Sequence, residues 1–84
     1  NGKKPDFFFY RDNNGMEIDL LIHADGCYYP VEVKMKSAPD LHDAKWIKSF
    51  QKLNIPTGPA SIISSCNASY NLASDITVQN IWDI

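Results

Sequence analysis

No run of this 84-residue chain stays apolar for long. The longest such stretches, "DLLIHA" and "ASII", fall far short of the roughly 18 to 20 residues that cross a bilayer, and no signal-peptide pattern opens the chain, so no membrane partner is expected. Cysteine is scarce. Cys27 and Cys66 stand far apart with no CxxC or histidine spacing, which argues against a disulfide framework or a zinc site and fits a reducing cytoplasm. Neither sign of charge dominates either: a formal net charge of −2 argues against holding nucleic acid by bulk electrostatics alone. Also missing is any GxxxxGK[ST] stretch, so these residues are not expected to hydrolyse ATP.

What is present reads as a folded domain. Apolar residues make up 44% of the chain and charged residues 21%, an ordinary globular balance that leaves no reason to expect disorder. A chain of this length holds one hydrophobic core, so residues 1–84 form a single domain. It opens on "NGKKPDFFFYRD", without a start methionine and straight into a strand, and is therefore expected to be a fragment of a longer protein. Charge is also unevenly spread: five of the eight basic side chains (Lys34, Lys36, Lys45, Lys48 and Lys52) fall between residues 34 and 52, opposed there only by Asp40 and Asp43.

The aromatic, β-prone run Phe7 to Asp12 predicts a strand, ended by the turn "NNG". A second strand is expected over Met16 to Ala24 and a third over Cys27 to Lys36, joined by Asp25-Gly26, a strong hairpin signal. Pro39 and Asp40 then announce a helix, with Asp40 placed to cap its exposed amides. Leu41, Ala44, Ile47 or Trp46, Phe50 and Leu53 recur at the helical period, and "NIPTGP" ends the run. Short strands follow at Ala60 to Ser65 and Ile76 to Ile84. The expected order is β-β-β-α-β-β: an antiparallel meander, then a helical crossover between two parallel strands, giving a mixed sheet of the α+β class with a helix packed on it.

The hairpin fixes a register. With Asp25 and Gly26 at the turn, Ala24 pairs with Cys27, His23 with Tyr28, Leu21 with Pro30, Asp19 with Glu32 and Glu17 with Lys34. Alternation then puts Glu17, Asp19, Glu32 and Lys34 on one face, leaving Ile18, Leu20, Ile22, Tyr29, Val31 and Val33 to form core on the other. Directly opposed carboxylates destabilise a sheet unless a cation lies between them, a proton is shared, or the neighbouring lysine moderates the repulsion. A hard cation such as Mg²⁺ (or Mn²⁺) suits two carboxylates, and with Lys34 as a fixed positive charge the parts are those used in phosphodiester hydrolysis. A plain solvated sheet face, with Glu17 and Lys34 as an ordinary ion pair and nothing bound, competes with that reading.

Asp19, a dozen-residue spacer, then Glu32-Val33-Lys34 before a helix and a further strand resembles the PD-(D/E)xK nuclease superfamily. More narrowly, "YRDNNGMEIDLLI", "YYPVEVKMK" and "ITVQNIWDI" resemble the C-terminal domain of unknown function of predicted prokaryotic AAA+ ATPases. The resemblance implies a restriction-endonuclease-like core with Asp19 and Glu32 as metal ligands and Lys34 as the catalytic lysine. Glu17 would be an auxiliary acid, replacing one that such nucleases carry on an N-terminal helix absent from these residues. It further implies an ATPase domain preceding this one in the parent protein, where any ATP would bind. A catalytically degenerate module, serving that ATPase as a regulatory, DNA- or RNA-binding or protein-binding domain, is the alternative.

Lys36, Lys45, Lys48 and Lys52 are candidates for a nucleic-acid backbone, with Lys45 or Gln51 as possible helix contributions to the site; a solvated helix face is the plainer reading. His23 is expected to pack against Tyr28. Most of the aromatic residues Phe7, Phe8, Phe9, Tyr10, Trp46 and Trp82 are expected in the core, although three consecutive phenylalanines cannot all point inward.

Overall fold

Asp25 and Gly26 both take positive φ, 53° and 81°, the combination a two-residue type I′ hairpin demands and Asp-Gly readily adopts. In the computed structural model, which describes residues 4–83, this turn joins the second and third of six strands. In chain order the strands are β1 (Asp6–Arg11), β2 (Glu17–Ala24), β3 (Cys27–Lys34), β4 (Ala60–Ser64), β5 (Tyr70–Ala73) and β6 (Ile76–Asn80). They form one sheet in the order β1-β2-β3-β4-β6-β5. The β1–β2–β3 meander is antiparallel, and β3 runs parallel to β4, with the helical segment between them as the expected crossover.

That segment is shorter and more divided than its apolar period suggests. Leu41–Ala44 is a 3₁₀ turn and only Lys45–Gln51, α1, is α-helical. Asp40 accepts the His42 amide at 3.0 Å while Asp43 accepts the Asp40 amide at 2.9 Å, a reciprocal cap that tightens the entry. The capped turn leaves Leu41 exposed, whereas Ala44, Ile47 and Phe50 are fully buried. The Phe50 ring lies edge-on to Tyr10 and Tyr28, 5.5 and 6.3 Å away, so α1 covers the face of the sheet that carries Tyr10, Leu21 and Tyr28.

The final expected strand, over Ile76 to Ile84, is present but shorter, and it is the second arm of a hairpin whose first arm was not expected. Residues Tyr70–Ala73 form β5, the turn at Ser74-Asp75 holds Asp75 at φ 62°, and β6 stops at Asn80 before a 3₁₀ turn over Ile81–Asp83. Asn80 makes that stop: its side-chain amide donates to the Cys66 carbonyl at 2.6 Å while its carbonyl accepts the Trp82 amide at 2.7 Å. Cys27 and Cys66 are both free thiols, half-buried and buried. Aromatic burial departs from expectation: Tyr10 and Trp46 pack on the core, but Phe7, Phe8, Phe9 and Trp82 are exposed. Among the described residues, no helix is long and apolar enough to cross a membrane.

Candidate functional site

The hairpin register runs as expected from Ala24–Cys27 through His23–Tyr28 and Leu21–Pro30 to Leu20–Val31, and there it stops. His23 does stack on Tyr28, ring centroids 4.3 Å apart. One step further, no Asp19–Glu32 backbone rung forms. Instead the Asp19 Oδ2 accepts the Val33 amide at 2.9 Å, so a side chain closes the gap where β2 leaves β3.

A bulge on the other side of β2 explains the departure. Phe8 pairs with Leu21 and Tyr10 with Ile18, so Asp19 and Leu20 together oppose the single Phe9. The extra residue reverses alternation in β2, and Ile18 and Leu21 both point into the core. Two expectations are corrected here, the first by the bulge and the second by which face of β3 is covered. Glu17 does not meet Lys34; it is exposed opposite Arg11, with its carboxylate 3.4 Å from the Arg11 guanidinium. Nor do Val31 and Val33 form the β3 core face: Val33 is 47% exposed, while Pro30 and Glu32 lie inside. Val31 and Val33 face the uncovered side, and Glu32 shares the covered one with Tyr28 and Pro30.

Glu32 is therefore not a solvated residue. It is only 3% exposed, and its Oε2 is buried without a hydrogen-bond partner. Burial first, and then the adjoining Asp19 carboxylate, push its carboxyl up to about 7, against the pull of Lys34 and the Asp19 amide. Asp19, Glu32 and half-buried Lys34 thus form one electrostatic cluster at the C-terminal end of β3. Near neutral pH the Glu32 carboxyl is therefore divided between its protonated and ionised forms.

Among the described residues no group of three or more His, Cys, Asp or Glu side chains converges on a metal position, so the cluster offers two carboxylates and a lysine. The orphaned Oε2 and the clustered negative charge fit a hard cation that takes few protein ligands and keeps several waters. An apolar groove of about 520 Å³, lined by Phe8, Tyr10, Tyr28 and Phe50 among others, lies elsewhere and contains none of the three.

The remaining candidates scatter. Lys36 is committed to Asp43 at 3.2 Å, tying the end of β3 to the 3₁₀ turn. Lys45 lies 4.5 Å from the Trp46 ring centroid. Lys48 and Lys52 are exposed and Gln51 is half-buried. Burial of Glu32 follows from regular alternation along β3, and the signal for it was Pro30, in register with buried Leu21, which marks its face of β3 as the inner one.

The family model described as a domain of unknown function (DUF4143) matches residues 1–84. No curated protein and no solved structure matches the chain.

Proposed function

This chain belongs to the DUF4143 family of domains of unknown function, and from that premise we propose that it is a nuclease-like domain of the PD-(D/E)xK class, in which Asp19 and Glu32 hold Mg²⁺ or Mn²⁺ and Lys34 supplies a fixed positive charge. The observation that carries the reading is the buried, partnerless Oε2 of Glu32 beside the Asp19 carboxylate. A native protein rarely strands such an atom, because an unsatisfied buried acceptor costs about 1–3 kcal/mol.

When bound, such a cation lowers the pKa of a coordinated water and stabilises charge on a phosphoryl oxygen. The chain's own residues set the conditions for that chemistry. Asp19 is oriented by the Val33 amide, Glu32 is shielded from bulk water, and Lys34 offsets the negative charge of the pair. The substrate on this reading is a nucleic acid, DNA or RNA, with exposed Lys48 and Lys52 available to its phosphates. The parent protein is proposed to carry an AAA+ ATPase domain ahead of this one.

Calorimetric titration of Mg²⁺ and Mn²⁺ into the full parent protein, beside Asp19→Ala and Glu32→Ala, tests the site. Binding in the native protein that is lost in both variants is expected; equal heats in all three defeat the proposal.

One observation favours a second reading. Glu17 turns to Arg11, so only two acids converge, and a degenerate module that binds a cation or nucleic acid for its ATPase without cutting fits that reduced set. In that case deletion of the domain changes ATPase output while no strand is cleaved. Cleavage by the parent that disappears in Lys34→Ala decides for the enzyme.

A further inference from the structure

Lys34 is the last residue of β3, and its ammonium enters no ion pair among the described residues. Where that charge sits relative to Glu32 is therefore decided by the backbone that carries it. On the β4 side this backbone is in register, with Lys34 opposite Ser64. On the β2 side the regular rungs end at Leu20–Val31, and past them the Asp19–Val33 bond takes over. A further hold on the strand end comes from the residues that follow it.

The chain turns sharply after Lys34, where the Lys36 amide donates to the Lys34 carbonyl at 2.8 Å in a γ-type turn. The Lys36 side chain then reaches forward to Asp43, with its Nζ 3.2 Å from both carboxylate oxygens. Asp43 is a firm anchor. Its side chain is only 8% exposed, it accepts the Asp40 amide at 2.9 Å, and the 3₁₀ turn to which it belongs is seated in the core through Ala44. A cap needs only one oxygen on one amide. Here the same carboxylate also grips the exit from β3, in an ion pair less open to solvent screening than one on the surface.

We propose that Asp43 is a positioning residue for Lys34: acting through Lys36, it fixes the turn that ends β3 and so holds the Lys34 charge beside Asp19 and Glu32. The consequence for cleavage rests on the nuclease reading of Lys34, whereas the hold itself does not. Lys36 then serves as a strut inside the fold rather than as a contact for phosphate.

Asp40→Ala is the control, because Asp40 and Asp43 are the two halves of one capping box and Asp43 is the half that pairs with Lys36. In the full parent protein, Asp43→Ala, Lys36→Met, Lys36→Arg and Asp40→Ala are compared by amide hydrogen exchange and by Mg²⁺-dependent cleavage of nucleic acid. Exchange of the Lys36 amide is expected to quicken roughly tenfold in Asp43→Ala and Lys36→Met. It is expected to keep its native rate in Lys36→Arg, which retains the ion pair, and in Asp40→Ala, which loses only the cap. The kcat is expected to divide the variants in the same way, falling roughly tenfold in the first two at unchanged KM and unchanged Mn²⁺ affinity by calorimetry. An Asp43 that only caps the turn would instead group Asp43→Ala with Asp40→Ala and leave Lys36→Met native. That grouping, or a quickened Lys36 amide with native kcat, overturns the proposal. If the native parent cuts no strand, the nuclease reading fails separately and the Lys36 amide alone decides whether Asp43 holds the turn; an amide indifferent to Asp43→Ala and Lys36→Met overturns the proposal in either case.

Discussion

The Asp19 carboxylate accepts the Val33 amide at 2.9 Å at the point where β2 separates from β3. One side chain therefore does two things: it replaces a missing backbone rung and keeps negative charge beside Glu32. Asp19→Asn retains an acceptor but not the charge; Asp19→Ala retains neither. Asp19→Ala is expected to destabilise the fold by about 1–2 kcal/mol and Asp19→Asn by less, both measured by urea unfolding. Because the Asp19 charge helps raise the Glu32 carboxyl to about 7, both variants are expected to lower it, as read by NMR titration of Glu32. An unchanged Glu32 titration rejects the electrostatic coupling.

Glu32 gives stability a pH dependence of definite sign. Its folded pKa of about 7 lies above the ordinary value of 4.5, so between these values the folded state holds a proton that the unfolded state has released. Stability is then fully present below about 4.5, falls as pH rises towards 7, and levels off above. The loss is on the order of 3 kcal/mol. Glu32→Gln, isosteric and neutral throughout, is expected to flatten this slope in denaturation curves taken from pH 5 to pH 8. A native slope of the opposite sign rejects the account.

Much of the fold was legible because its signals are local. Asp25-Gly26 specifies its own turn, Asp40 its own cap, and the short first connections force a meander. The site was only half legible. Counting outward from the turn gave the β2–β3 register correctly up to Leu20, but alternation could not foresee that Asp19 and Leu20 would share one partner, Phe9. That bulge, which no local pattern records, sends Glu17 to Arg11, whereas Glu32 goes inside because α1 covers the face of β3 that also carries Tyr28 and Pro30. β5 escaped for a related reason: Ser74-Asp75 is a weaker hairpin signal than Asp-Gly, and the polar residues around Tyr70 read as loop.

The entry to α1 makes a separate prediction. Burial alone pushes the Asp43 carboxyl up, yet the Asp40 amide and Lys36 hold it below its ordinary value. Asp43 therefore contributes stability that is present above the ordinary carboxylate range and lost as pH falls through it. Asp40→Ala and Asp43→Ala are each expected to cost about 1 kcal/mol at pH 7, with the Asp43→Ala deficit shrinking on acidification. A deficit that does not change with pH removes the charge-assisted part of this explanation.

Lys34 separates cation binding from chemistry. Its charge lowers the Glu32 carboxyl towards the ionised form, so Lys34→Met is expected to raise Glu32 further above about 7. A proton and a divalent cation compete for that carboxylate. On the proposed reading, Mn²⁺ binding by Lys34→Met strengthens more steeply between pH 7 and pH 9 than that of the native protein, because more of its Glu32 must first lose a proton, and at pH 9 it is at least as tight as in the native protein. Calorimetry at the two pH values measures this without reference to turnover. On the same reading, cleavage of nucleic acid is expected to stay lost at pH 9, because restored cation binding does not restore the charge that the proposal gives to Lys34. Recovery of both at high pH assigns Lys34 to tuning Glu32 alone, whereas weak Mn²⁺ binding at both values shows that the lysine holds the site together by another route.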